Sequence, residues 1–210
     1  MTQGMGKLVI VRHHESEWNK LGKWTGITDV HLTEKGFKKS KEMGELIKDL
    51  CFNHAFISNQ IRSNETLVSM LSVCTADNQM PVERAGELNE RDYGDYTGKN
   101  KWEMGSILGQ EEFNDVRRGW DHPVPNGETL KMVYERAVPY FLNNILPLVK
   151  ENKNVLIVSH GNTIRALTKY IENISDKDIA EVEMIFGSIV IYDLDEDGHI
   201  LNKEVRKIND

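Results

Sequence analysis

The sequence is poor in cysteine and has no long apolar run, and each shortage excludes a class of protein. The two cysteines, Cys51 and Cys74, form no metal-ligand spacing and cannot build a disulfide framework, so a reducing compartment is expected. The apolar runs are far shorter than the roughly 20 residues that cross a bilayer. Residues 1–7 also lack the apolar stretch of a signal peptide. These features favour a cytoplasmic protein that does not associate with a membrane.

Basic residues are also scarce relative to acidic ones. The chain has 26 Lys and Arg against 33 Asp and Glu, which gives a net charge of −7. This balance argues against nucleic acid as a partner, although a local basic pocket can still bind a small anion. With 210 residues, 39% of them hydrophobic, the chain suits one domain over residues 1–210 that buries its core without structural metal.

Short apolar runs alternate with helical patterns along the chain. Buried strands are predicted at 8–11, 55–58 and 155–158, and a later strand at 189–192, with a hairpin turn at 195–198 that lets 200–205 pair back. Helices are predicted over 32–50, 61–73 and 111–118, from Leu130 to Phe141 with a kink at Pro139, and after His160, whereas 86–98 is predicted to be a loop. This alternation predicts an α/β fold, a three-layer α/β/α sandwich around a mostly parallel sheet.

Two of the predicted strands end in a histidine. The first ends in Arg12-His13, and the third ends in Ser159-His160-Gly161 at the start of a helix. Ligands of such sheets bind beyond the carboxyl ends of the strands, and a helix N-terminus offers free N–H groups to an anion. A neutral imidazole can attack phosphorus, and an arginine can neutralise phosphoryl oxygens. The pattern therefore indicates phosphoryl transfer.

The residues alone leave two other interpretations open. An isolated histidine is more often a hydrogen-bonded structural residue than a nucleophile. The His13-His14 pair could also indicate a metal site, but adjacent residues of an extended segment point to opposite faces, and no nearby carboxylate or cysteine pattern completes a ligand set. No metal is expected.

The segments Leu8–Asn19 and Trp24–Leu32 resemble the signature of the histidine phosphatase superfamily and, more narrowly, of phosphoglycerate mutases that depend on 2,3-bisphosphoglycerate. The resemblance extends over about residues 7–205. It implies that His13 becomes phosphorylated and that Glu90 is the general acid/base. The phosphate pocket would be completed by Arg12, Arg62 and His160.

The same resemblance implies a set of substrate-binding positions. Arg117 and Arg118 match a paired arginine typical of the mutases rather than of plain phosphatases, and would hold the second anionic end of a bisphosphorylated ligand. The other positions are Ser16, Asn19, Thr25, Gly26, Arg91, Tyr93, Lys101, Gly161 and Asn162.

The activity implied by the resemblance is the interconversion of 3-phosphoglycerate and 2-phosphoglycerate in glycolysis and gluconeogenesis, primed by 2,3-bisphosphoglycerate. The alternatives are a broad phosphomonoester phosphatase that uses the same His13 and Glu90, and a catalytically weak phosphate-ligand binding protein.

The sequence departs from the mutase pattern in four places, one of which, Ile27 in place of a common tryptophan, is expected to be tolerated. His14 stands where glycine is usual, and the nine residues between Arg118 and Glu128 replace a longer insertion that many mutases carry. The chain also ends at Asp210, where many mutases have a mobile tail that shields the phosphohistidine from water. We expect the short loop and the missing tail to favour phosphatase behaviour, whereas His14 would support the catalytically weak binding protein. A monomer or small homo-oligomer is expected.

Overall fold

The structure of the protein is a computed structural model that describes residues 6–74 and 80–209. Its strands are β1 (Lys7–Arg12), β2 (His54–Ser58), β3 (Val82–Ala85), β4 (Val155–Ser159), β5 (Ser188–Leu194) and β6 (Ile200–Lys207). They form one six-stranded sheet of order β3-β2-β4-β1-β5-β6 in the described part of the chain. All neighbouring pairs from β3 to β1 are parallel, whereas β5 is antiparallel to both β1 and β6. The mostly parallel sheet and the final hairpin are therefore confirmed.

The helices surround this sheet. Their bounds are α1 (Glu17–Lys20), α2 (Glu34–Glu45), α3 (Ile61–Leu71), α4 (Lys101–Leu108), α5 (Gln110–Arg118), α6 (Leu130–Tyr140), α7 (Leu146–Lys150) and α8 (Gly161–Ile171). Short 3₁₀ turns cover Gly86–Leu88, Gly94–Tyr96 and Asp178–Glu181, and a π-helical turn, Phe141–Ile145, joins α6 to α7.

The sequence predictions about these elements were partly wrong and incomplete. The helix predicted to reach Leu50 ends at Glu45, because the chain then tightens into turns in which each N–H bonds the carbonyl three residues back. The kink predicted at Pro139 stays a prediction: the helix continues to Tyr140, and the π-helical turn follows directly. Strand β3 and helices α1, α4 and α7 were not predicted. Three of the four residues of β3 are exposed, so this edge strand carries no apolar signal.

The sheet is covered on both faces, which confirms the three layers. Along β1, Leu8 and Ile10 pack in one hydrophobic cluster with α6, α7 and α8. Val9 and Val11 pack in the opposite cluster with α2 and α3. Both sets alternate along the strand, as the pleat requires, so β1 is buried on both sides. Among the described residues, no helix is long and apolar enough to cross a membrane.

A third hydrophobic cluster lies outside the sheet and supports helices α4 and α5, which we call the roof (Lys101–Arg118). Its centre is Trp24, which is 1% exposed and stacks on Tyr93 and Tyr96 with ring centroids 5.6 and 5.4 Å away. Phe113 and Val116 of α5 pack in the same cluster. The roof therefore rests on the loops around Trp24 and Tyr93 rather than on the sheet.

Candidate active site

A cavity of about 400 Å³ lies between the roof and the carboxyl ends of β1 and β4. Six cationic and two acidic side chains line it within the described ranges: Arg12, Arg62, Lys101, Arg117, Arg118 and Arg165, with Glu90 and Glu183. The local charge is thus opposite to the net charge of the chain, and it suits an anionic ligand.

His13 follows directly after β1 and is 3% exposed. Its Nδ1 lies 2.6 Å from the carbonyl oxygen of His14. Because a carbonyl only accepts hydrogen bonds, Nδ1 carries the proton and Nε2 carries the lone pair. Burial, reinforced by the charges of Arg62 and Arg12, lowers the pKa of His13 well below its ordinary value. The ring is therefore a neutral imidazole whose Nε2 can act as a nucleophile.

His160 caps the N-terminus of α8, and its ring centroid lies 5.0 Å from that of His13. Its Nε2 is 2.7 Å from the Oγ of Ser58, which also accepts a hydrogen bond from the backbone N–H of Gln60. The serine hydroxyl can then donate its own proton to Nε2, so that Nδ1 carries the ring proton. This Nδ1 is buried and has no hydrogen-bond partner among the described residues. Burial lowers the pKa of His160 well below its ordinary value, so this ring is also neutral.

Arg12 and Arg62 are held in place by backbone carbonyls. Nη1 of Arg12 donates to the carbonyl of Met184 at 2.5 Å. The two Nη atoms of Arg62 donate to the carbonyls of Thr28 and Gly26 at 2.9 and 3.0 Å. Burial lowers the pKa of Arg62 to about 10, which leaves it charged at neutral pH. The Nε atoms of both arginines are buried and unpaired within the described part of the chain, so each can donate to a phosphoryl oxygen.

Glu90 is one of the two carboxylates that line the cavity, and hydrogen bonds hold it in place. Its Oε1 accepts from the backbone N–H groups of Arg91 and Asn162 at 2.8 and 3.2 Å. Asn162 in turn donates through its side chain to the Oη of Tyr93 at 2.9 Å. These bonds hold the buried carboxylate of Glu90 at the cavity wall. There it can exchange a proton with a ligand hydroxyl.

The roof supplies a second group of cations. Burial lowers the pKa of Lys101 to about 8, and repulsion by Arg12 and Arg117 adds to this shift. Arg117 stands over the ring of Phe113, with its Cζ 5.2 Å from the ring centroid. Arg118 donates to the carbonyl of Val182 at 3.3 Å and forms an ion pair with the carboxylate of Glu183.

The structure brings most of the predicted site residues to this cavity, with three outside its lining. Ser16 caps α1 by accepting from the backbone N–H of Asn19. Arg91 is fully buried and donates to the carbonyls of Glu128 and Val116 at 2.5 and 2.8 Å. His160 lies beside His13 at the edge of the sheet. The predicted residues that do line the cavity are Arg12, His13, Asn19, Thr25, Gly26, Arg62, Glu90, Tyr93, Lys101, Arg117, Arg118, Gly161 and Asn162.

His14, the departure noted in the sequence, is 2% exposed and lies outside the cavity lining. Its Nδ1 accepts from the backbone N–H of Glu15 at 2.7 Å. Its ring centroid lies 5.3 Å from that of Phe186, with 31° between the ring planes. The side chain thus packs against Phe186 and stays out of the cavity.

Sequence reasoning missed Trp24, Arg165 and the segment 183–186, all of which line the cavity. Arg165 could have been found, because it follows Asn162 by three residues on α8 and so shares its face. The segment 183–186 gave no such signal. It reaches the site because β5 runs against β1 and pairs Ile189 with Val11, so the chain enters β5 at the edge where β1 ends.

Comparison with known proteins explains why these residues occur together. The model of the histidine phosphatase superfamily (branch 1) matches residues 8–206. The chain belongs to this superfamily. Among curated members, the 2,3-bisphosphoglycerate-dependent phosphoglycerate mutase 2 of Latilactobacillus sakei is 36% identical, over 98% of this chain and 100% of its own length. The mutase of the same dependence from Parvibaculum lavamentivorans is 39% identical, over 94% of this chain and 95% of its own.

A solved structure of this histidine phosphatase fold shows the same architecture. The mycobacterial glucosyl-3-phosphoglycerate phosphatase superposes with a TM-score of 0.81, covering 97% of this chain and 99% of that one. At 19% identity the likeness concerns the fold alone.

Proposed function

We propose that the chain interconverts 3-phosphoglycerate and 2-phosphoglycerate through a phosphohistidine at His13. One observation carries this proposal: the cavity is lined by cations from two parts of the fold. Arg12 and Arg62 flank His13 at the sheet, and Arg117, Arg118 and Lys101 come from the roof. 3-Phosphoglycerate has an anionic group at each end, a phosphate and a carboxylate, so it can engage both groups at once. The mutase relatives over nearly the full chain support the same activity.

In the proposed reaction, Nε2 of His13 attacks a phosphorus atom, the N–P bond forms and the bond to the ester oxygen breaks. Arg12, Arg62 and the Nδ1–H of His160 stabilise the charge on the transferring group. Glu90 gives a proton to the departing ester oxygen. In the reverse direction it takes the proton from the substrate hydroxyl while the N–P bond breaks and the new P–O bond forms.

The residues present fit 2,3-bisphosphoglycerate as the primer, which when bound supplies the phosphoryl group that charges His13. The unpaired Nε atoms of Arg12 and Arg62 and the Nδ1 of His160 would meet one phosphate, and Arg117 and Lys101 would meet the other. This chemistry uses side chains alone and requires no metal. We place it in the cytoplasm, in keeping with the free thiols of Cys51 and Cys74.

Phosphomonoester hydrolysis is the second candidate, and one observation favours it. The carboxylate of Glu183 lines the cavity and already holds Arg118. A substrate with a single phosphate needs only the cations at the sheet. The second anionic group of a phosphoglycerate would instead lie near the negative charge of Glu183 in the roof region. Water that reaches phosphorylated His13 would then complete a phosphatase cycle.

The test supplies the purified protein with 3-phosphoglycerate, with and without 2,3-bisphosphoglycerate. Formation of 2-phosphoglycerate is followed through coupling to enolase, and free phosphate is measured in parallel. We expect 2-phosphoglycerate to form, to increase with the primer, and to exceed phosphate release. Phosphate release without 2-phosphoglycerate would contradict the mutase proposal and support hydrolysis.

A variant pair sharpens the distinction. Arg117→Ala should slow transfer to 3-phosphoglycerate but leave hydrolysis of p-nitrophenyl phosphate largely intact, because that ester has no second anionic group. Arg84→Ala is the matched control, since Arg84 lies on β3 and donates to the Oδ1 of Asn64, away from the cavity. Equal losses of both activities in Arg117→Ala would count against a separate role for the roof.

A further inference from the structure

Glu183 is a carboxylate that the proposed chemistry does not use, in a cavity lined mainly by cations. It lies on the segment that enters β5 and pairs with the guanidinium of Arg118. Its side chain is 61% exposed, whereas that of Arg118 is 27% exposed. The pair therefore sits where the cavity meets solvent, and Glu183 is free to swing outward.

The two cavity carboxylates differ in how firmly they are held. Glu90 is buried and its Oε1 accepts from two backbone N–H groups, so it is a fixed part of the wall. Glu183 is held through its contact with Arg118, and the adjacent carbonyl of Val182 accepts a second bond from the same guanidinium. An exposed ion pair of this kind contributes little free energy and is weakened by salt. Glu183 can therefore be displaced.

We infer that Glu183 is a specificity-determining residue that occupies Arg118 until the second anionic group of a ligand displaces it. The inference rests on the proposed function, because it concerns the second anionic end of a phosphoglycerate. Glu183 lowers the affinity of the cavity for ligands that are anionic at both ends and has little effect on ligands with a single phosphate. Binding of the doubly anionic ligand thereby depends on competition between two anions for one guanidinium.

The experiment measures binding by titration calorimetry to the unphosphorylated protein, with 3-phosphoglycerate as the doubly anionic probe and inorganic phosphate as the single one. The variant is Glu183→Gln. The matched control is Glu181→Gln, which removes the same charge two residues away from an exposed position outside the cavity lining. We expect Glu183→Gln to lower the Kd for 3-phosphoglycerate by about threefold to tenfold at low salt, the scale of one screened charge contact. The Kd for phosphate and both Kd values of the control should stay near those of the unaltered protein.

The salt dependence of the Kd distinguishes a charge effect from a structural one, because a purely structural change would not depend on ionic strength. The gain in affinity of Glu183→Gln should shrink as ionic strength rises from about 0.02 to 0.5 M, because the Debye length falls to a few ångströms. An unchanged Kd for 3-phosphoglycerate in Glu183→Gln would overturn the inference. So would an equal gain for phosphate, or an equal gain in Glu181→Gln. The binding assay does not need turnover. Absence of 2-phosphoglycerate formation would therefore refute the proposed function but would leave the inference about Glu183 to be decided by the Kd values.

Discussion

We expect the hydroxyl of Ser58 to set which nitrogen of His160 carries the proton, and Ser58→Ala tests that role. Ser58 is fully buried, and its Oγ contacts both the Nε2 of His160 and the backbone N–H of Gln60. The substitution removes one oxygen and leaves the strand otherwise unchanged. The Nε2 of His160 and the N–H of Gln60 then each lose a hydrogen bond at a fully buried position.

The size of the effect follows from these contacts. A buried polar group without a partner costs about 1–3 kcal/mol, and in a domain of this size 1 kcal/mol lowers the Tm by about 2–4 °C. Relaxation of the two orphaned groups should limit the loss to about 2–10 °C. The catalytic effect is separate. Without the Ser58 hydroxyl the ring proton of His160 can move to Nε2, so Nδ1 no longer donates to the transferring group. We expect this to slow phosphorylation of His13 by about 10- to 100-fold. That is somewhat less than the effect of deleting such a donor outright.

The assay measures phosphorylation of His13 by 2,3-bisphosphoglycerate as acid-labile phosphate on the protein, alongside the Tm. Ser63→Ala is the matched control. Ser63 donates through its buried Oγ to the carbonyl of Val158 at 2.5 Å and accepts from the N–H of Ser58 at 3.3 Å. It should lose comparable stability but phosphorylate at close to the normal rate. If the two variants phosphorylate equally fast, the reasoning about His160 is refuted.

Two further outcomes follow from the site. Because burial lowers the pKa of Lys101 to about 8, its charge is present below that pH and is lost above it, so kcat/KM for 3-phosphoglycerate should fall above pH 8. Lys101→Arg should flatten this alkaline limb, and a flat profile up to pH 9 in the unaltered protein would contradict the assignment. Arg91→Ala should lower the free energy of unfolding by about 2–4 kcal/mol, because it orphans the carbonyls of Glu128 and Val116. Urea unfolding measures this loss, and a difference below about 1 kcal/mol would show that Arg91 is not a structural anchor.

The sequence predicted the part of the fold that its apolar runs encode. The three buried strands and the two histidines at strand ends were found because continuous apolar runs mark strands covered on both faces. Strand β3 was missed because it forms an edge and exposes Val82, Glu83 and Arg84. Its place in the sheet is set by pairing with β2, and the residues of β3 alone do not indicate that pairing.

The candidate site was predictable where a motif is contiguous and less so where it depends on topology. The site residues Arg12, His13 and Arg62 were predicted from short contiguous motifs, and all three line one cavity. Arg91 also lies in a matched segment, yet its guanidinium is used to hold the carbonyls of Glu128 and Val116. The cavity contribution of 183–186 required knowing that β5 is reversed, and the direction of a strand is not visible in its own residues.

The nucleophile and the roof belong to different packing units, and this separation affects how the site responds to change. His13 and His160 follow β1 and β4, which are adjacent and in register from Leu8 with Val155 to Arg12 with Ser159. Arg117 and Arg118 end a helix that packs around Trp24. The spacing of the two histidines is therefore set within the sheet. The reach of the roof cations depends instead on the cluster around Trp24, on the bond from Arg165 to the carbonyl of Arg118, and on the bond from Arg118 to the carbonyl of Val182.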